Sequence, residues 1–209
     1  MSLEGHLARA LQDGCRVQSM TLVHRPVGSL LLPTAQLVAC DPLVIPEMEP
    51  FSFPMPQGQF PVILSIAQMA EDQRVAFATI RFNQTAPVVW DMLTIEGQDD
   101  SKLKEDEFFG YPVDSGTGCF MDREAGRILD GRMREQSDYY ETLIAEMEKT
   151  YQHTWSWLNI DFDDVNLVAF SSGYGDGAYP TYLGYSPDGE VAAVVTDFAV
   201  IEQEPNEDQ

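Results

Sequence analysis

The 209-residue sequence has little positive charge. Its 12 lysines and arginines stand against 34 aspartates and glutamates, for a formal net charge of −22. The imbalance is concentrated in one part of the chain. Residues 1–90 hold 7 acids and 5 bases, whereas residues 91–209 hold 27 acids and 7 bases. A field of that sign repels nucleic-acid phosphate and anionic lipid, so neither is expected as a partner. It would instead speed association with a basic protein. Cysteine is also scarce. Cys15, Cys40 and Cys119 are too scattered for a disulfide framework and form no Cys-x-x-Cys pair, which points to reduced thiols in a cytoplasm. No apolar run is long enough to span a membrane. The first residues lack a basic segment followed by a long apolar one, so no signal peptide is expected. His6, His24 and His153 lie far apart, so no zinc or other metal site is expected, and no cofactor. No Gly-x-Ser-x-Gly elbow occurs.

With 44% hydrophobic and 22% charged residues, the chain can bury a sizeable core. Short apolar runs at 20–24, 30–32 and 37–40 read as strands, bounded by Gly28, Pro33 and Pro42. Six prolines between Pro42 and Pro61 predict an extended loop, with Phe51, Phe53 and Phe60 pinning it to the core. Apolar runs between Pro61 and Glu71 and between Arg74 and Asn83 are joined by three polar residues, Glu71-Asp72-Gln73, and predict a hairpin. A further strand is expected at 88–95, anchored by Trp90.

The period then changes. Leu129, Met133, Tyr140, Leu143, Ile144, Met147, Tyr151 and Trp155 fall mostly three and four apart, predicting helices near 122–135 and 138–156 with one buried face. Asp122 is placed to cap the first. Asp138 with Glu141 approximates a capping box for the second. Residues 165–170, 179–185 and 191–198 read as strands, the last two joined by a turn at Ser186-Pro187-Asp188-Gly189. The expectation is one α+β domain over residues 1–209, mainly antiparallel sheet with two helices in the region 122–156, and an acidic tail from about residue 202.

Two stretches carry candidate chemistry. Val113-Asp114-Ser115-Gly116-Thr117 matches the way aspartic proteases present their catalytic carboxylate. Such enzymes need two carboxylates sharing one proton. No second Asp-[Ser/Thr]-Gly-[Ser/Thr] occurs, so the protease reading is rejected and the chain leans away from an enzyme. A turn explains the stretch instead, with Cys119 and Phe120 buried after it. In Gly173-Tyr174-Gly175-Asp176-Gly177, three glycines let backbone N–H groups converge near one carboxylate, with Tyr179 and Tyr182 close by for broad amphipathic contact. The loop precedes a strand and so is not a dinucleotide fingerprint. Asp161-Phe162-Asp163-Asp164-Val165-Asn166 fails as a calcium loop, because Asn166 occupies the glycine position and Ser172 the glutamate position. It reads as a helix-to-strand loop.

The two candidate stretches, joined with Cys40-Asp41-Pro42-Leu43, Phe60-Pro61-Val62, Arg74-Val75-Ala76 and the hairpin from Leu183 to Phe198, resemble the bacterial family called domain of unknown function 4241. The resemblance covers about residues 30–200. It implies a single domain and brings no established activity, catalytic residue or cofactor.

Three functions are expected, in this order. The first is a cytoplasmic interaction protein that binds a basic partner through its acidic half, of the kind that serves as immunity to a toxin. The second is a small-molecule or carbohydrate-binding module using Gly173, Tyr174, Gly175, Asp176, Gly177, Tyr179 and Tyr182, with Asp114 nearby. The third is a hydrolase using Asp114, Asp122 or Asp176. The oligomeric state is not legible in the sequence.

Overall fold

Three strands of this protein are apolar at nearly every position because both of their faces are buried. In a computed structural model that describes residues 2–44, 49–104 and 107–202, β3 (Leu37–Cys40), β8 (Thr117–Asp122) and β10 (Val165–Ser171) lie at the centre of a layered structure. Side chains alternate across a strand. Leu37, Ala39, Phe120, Val168 and Phe170 therefore enter one core, and Val38, Cys40, Cys119, Met121, Leu167 and Ala169 enter another. The first core is shared with a large sheet and the second with two helices.

The large sheet is built from β1 (Arg16–Val17), β2 (Met20–Leu32), β4 (Gly58–Gln68), β5 (Gln73–Arg81), β6 (Val89–Met92), β12 (Thr181–Tyr185) and β13 (Val191–Asp197). Its spatial order is β1-β2-β4-β5-β13-β12-β6, antiparallel throughout. The central sheet adds β9 (Trp157–Phe162) in the order β3-β8-β10-β9, and a short ribbon joins β7 (Tyr111–Val113) to β11 (Gly177–Tyr179). Among the described residues the α-helices are α1 (Leu3–Ala8), α2 (Arg123–Glu135) and α3 (Tyr139–Glu148). The molecule is thus sheet-rich, mostly antiparallel, with few helices. The two expected helices in 122–156 are present, and α1 is an addition.

Several expectations hold in detail. The 61–71 and 74–83 runs form the β4–β5 hairpin, and Ser186-Pro187-Asp188-Gly189 joins β12 to β13. Cys119 and Phe120 are fully buried. Asp122 caps α2, accepting from the Glu124 N–H at 2.9 Å.

Other elements differ. The runs at 20–24 and 30–32 are one strand, because a bulge between Pro26 and Gly28 absorbs the proline and lets the ladder continue. Asn166 is not in a loop. It is buried on β10, accepts from Leu31 N–H at 2.7 Å and donates to the Ser29 carbonyl at 2.7 Å, tying β2 to the central sheet. Residues 161–166 are a tight hairpin between β9 and β10, turning at Asp163 with φ 60°. The second helix stops at Glu148. Beyond it the Thr150 hydroxyl accepts the Trp157 N–H at 2.9 Å, and His153 adopts φ 52°, so Trp155 enters the core from a turn. Asp138 makes no side-chain cap bond, so the capping box is not formed. The helical face is also rotated from the expected one. Tyr139, Leu143 and Met147 are buried, while Tyr140, Ile144 and Tyr151 stand in solvent. Phe51 and Phe60 pack on the core, but Phe53 is exposed. The acidic tail from residue 203 onward lies outside the described residues, as does Pro46 of the proline-rich stretch.

Candidate functional site

The ribbon of β7 and β11 sets Val113 opposite Gly177 and thereby lays the two candidate loops side by side. Ser172 N–H donates to the Gly116 carbonyl at 3.0 Å. A Cβ on Gly116 would lie 3.7 Å from Gly175 Cα. The stretches 113–117 and 173–177, separated by more than fifty residues of chain, therefore form one surface, with Asp114 and Asp176 both exposed on it.

The carboxylate that organises this surface is Asp41. It is 1% exposed. One oxygen accepts from Asp114 N–H at 3.0 Å and Ser115 N–H at 2.7 Å, and the other from the Ser115 hydroxyl at 2.7 Å and Leu43 N–H at 3.0 Å. Burying an ionised carboxylate is costly unless donors surround it, and four do so here. Asp114 thus contributes its backbone to the turn, and the acid at its base is Asp41, the residue that follows β3. Sequence reasoning had Cys40-Asp41-Pro42-Leu43 only as a matching motif and missed this role. No local spacing could have found it, because the partners lie 73 and 74 residues away.

The glycine-rich loop closes on itself. Gly175 N–H donates to the Ser172 carbonyl at 2.7 Å. The Ser172 hydroxyl and the Tyr179 hydroxyl donate to the Gly175 carbonyl at 2.9 and 2.7 Å. Gly173 has φ 52°, and a Cβ there would meet the Phe198 carbonyl oxygen at 2.8 Å, so glycine is required by both backbone and space. Of the three tyrosines, Tyr179 and Tyr182 are buried and hold structure, contrary to the expected surface contact. Burial, and after it the Asp197 charge, pushes the Tyr182 phenol up to about 12. Tyr174 alone is exposed, with the Arg74 guanidinium 5.4 Å from its ring centre.

The three expected acids do not share a cleft. Asp122 is fully buried at the far end of β8, roughly 16 Å along the strand from Thr117. Its oxygens accept from Thr34 N–H at 3.0 Å, the Thr34 hydroxyl at 2.8 and 2.9 Å, and Glu124 N–H.

Beside the paired loops lies a groove of about 320 Å³ that the sequence did not suggest. Ser115, Gly116 and Thr117 form one wall. Ile144, Met147, Glu148 and Tyr151 form the other, with Leu43, Ser156 and Ser171 completing the lining. Ser156 N–H donates to the Ser171 hydroxyl at 2.9 Å, and Ser171 N–H donates to the Ser156 carbonyl at 3.1 Å, which fixes a polar floor. No histidine or cysteine lines it. Ile144 and Tyr151 are 41% and 62% exposed on its rim. The chemistry available is therefore recognition: hydroxyl and backbone groups below, apolar surface on one side, and the Glu148 carboxylate on the same wall. Among the described residues no group of three His, Cys, Asp or Glu is placed to hold a metal ion. Nor is any helix long and apolar enough to cross a membrane.

A family model described as protein of unknown function (DUF4241) matches residues 30–196, a span that includes Asp41, both loops and the groove. No curated protein and no solved structure matches the chain.

Proposed function

This chain belongs to the DUF4241 family of proteins of unknown function, and from that premise we propose that it is a cytoplasmic binding protein whose groove takes a basic, partly apolar segment of another protein. The observation that carries this reading is the exposure of Ile144 and Tyr151 on a groove wall that also bears Glu148. Large apolar side chains displayed together beside a concavity mark interaction sites more often than chance. The charge supports a basic partner, because the chain carries −22 overall and most of it falls in residues 91–209. An inhibitor of a basic toxin is one protein class with these needs.

A second reading, a small ligand bound at the 173–177 loop, draws on the exposed ring of Tyr174 alone. It predicts ligand-induced stabilisation that is lost in Asp176→Asn. A hydrolase has less support, since Asp122 is committed to the α2 cap and the side chains of Asp114 and Asp176 both face solvent.

The test is affinity capture from source-cell lysate at low and high salt, using the wild-type chain and the double variant Ile144→Ser, Tyr151→Ser in parallel. A basic protein retained by wild type at low salt, released at high salt and not retained by the variant supports the groove as its site. Equal recovery on wild type and variant overturns the groove. Clean beads in every arm overturn the basic-partner reading.

A further inference from the structure

The edge of the seven-stranded sheet carries a second cavity, of about 520 Å³, that shares no lining residue with the groove. Its floor is apolar and buried, made by Leu93 and Leu183 at 4% and 1% exposure. Two aromatic rings rise from it. Phe53 and Tyr185 stand at 85° to each other with ring centres 6.2 Å apart, which makes two walls of a corner.

Both rings are held there by backbone. Phe51 N–H donates to the Leu37 carbonyl at 2.9 Å, Ser52 N–H to Thr94 at 2.8 Å and Met55 N–H to Ala35 at 2.8 Å. The segment is thus pinned on either side of Phe53, yet that ring remains 38% exposed. Tyr185 sits where the β12–β13 register shifts after Gly184, and bulges re-aim side chains.

Two acids complete the corner. Asp91 faces Leu183 across the β6–β12 pair, and Asp100 begins a short 3-10 helix, Asp100–Lys102; both are exposed and both line the cavity. Among the described residues no ion pair engages either one. The lysines that follow Asp100 in the chain pair elsewhere, Lys102 with Asp99 at 2.9 Å and Lys104 with Glu107 at 3.5 Å. Burial and the Asp91 charge raise the Tyr185 phenol, which keeps its ring neutral.

The cavity therefore offers negative charge next to two aromatic rings packed edge to face over an aliphatic floor. A hard metal ion fits this badly, because it requires a shell of oxygen ligands. An anion is repelled. A cation with carbon substituents fits both parts at once, since ammonium groups are attracted to ring faces while their alkyl groups cover apolar surface. We infer that this cavity binds an alkylated ammonium group, with its charge between Asp91 and Asp100 and its alkyl substituents on Phe53 and Tyr185.

The experiment titrates the full chain with choline and, separately, with the neutral alcohol in which carbon replaces the choline nitrogen, following backbone amide shifts by NMR. A peptide carrying one trimethyllysine is the third probe. Choline is expected to give saturable shifts at residues 52–54 and 183–185, with the neutral alcohol much weaker. Phe53→Ala and Asp91→Asn should each weaken choline about fivefold, corresponding to ~1 kcal/mol. Asp164→Asn, which removes an exposed acid from the β9–β10 turn of the other sheet, should change nothing. Both Phe53 and Asp91 are exposed, so an unchanged amide spectrum will show that each variant folds. Tighter binding of the peptide than of choline assigns the ammonium to a protein side chain; choline alone assigns it to a free small molecule. The inference is overturned if the alcohol binds as well as choline, if Phe53→Ala binds like wild type, or if none of the probes gives saturable shifts.

Discussion

Asp41 accepts two hydrogen bonds from Ser115, one from its N–H and one from its hydroxyl, each at 2.7 Å. The turn that resembles a protease motif is thereby tethered to an acid just beyond the end of β3, and its own acid, Asp114, is left facing solvent. Asp41→Ala would leave four partly buried donors without their acceptor. It is expected to cost about 2–3 kcal/mol in urea unfolding and to speed hydrogen exchange at residues 114 and 115. Asp114→Ala, which keeps the backbone donor, should cost under about 0.5 kcal/mol. Equal losses from the two variants would contradict this assignment.

The groove wall should be separable from the fold. Because Ile144 and Tyr151 are exposed, replacing both by serine should change stability by less than about 1 kcal/mol, while Leu143→Ala, one residue away and 1% exposed, should cost roughly 2–4 kcal/mol. Thermal or chemical unfolding of the two variants checks the difference. A severe loss in the serine variant would mean that these side chains are core and not contact surface.

Gly173 should tolerate no side chain. Its positive φ and the 2.8 Å approach to the Phe198 carbonyl oxygen predict that Gly173→Ala destabilises by about 1–3 kcal/mol. Gly189→Ala, which has φ 84° but open space around it, should cost only the backbone strain. Ranking the two by denaturation midpoint tests whether packing or conformation dominates in the candidate loop.

Stability should fall on mild acidification through His24. Burial lowers its pKa below the ordinary 6.5, outweighing the nearby Asp13 charge. The unfolded chain then binds a proton more readily than the folded one, so stability is fully present above pH 6.5 and declines as pH drops toward the folded-state value. In His24→Gln that portion of the slope should vanish. A slope of unchanged size in the variant would assign the titration to another group.

At the alkaline end the sign reverses. The Tyr182 phenol is raised from 10 to about 12, so its contribution persists below pH 10 and is lost as pH climbs through about 12. Tyr182→Phe should move the alkaline unfolding midpoint upward, read by ultraviolet titration of tyrosinate alongside circular dichroism. No movement would show that Tyr182 ionises as readily as in the unfolded chain.

The features legible in the sequence are those that near neighbours encode. The hairpins at 58–81 and 181–197 follow from apolar runs joined by polar turns, and the α2 cap follows from Asp122 beside a helical period. The charge asymmetry is a matter of counting. What local pattern could not supply is anything set by pairing across long stretches of chain. β8 escaped notice because a strand buried on both faces shows no alternation, and β9 because its end, with residues 161–166, reads as a loop between a helix and a strand. Which side of α3 meets the core depends on where the central sheet lies, so Ile144 and Tyr151 read as core and stand in solvent. Phe53 is displayed because backbone bonds to Leu37, Thr94 and Ala35 hold its segment from outside. Residues 41 and 115 meet only when β3 pairs with β8, and the 113–117 and 173–177 loops adjoin only when β7 pairs with β11. Periodicity selects the elements; the register of distant strands decides which side chains share a surface, and it is that surface which carries the candidate function.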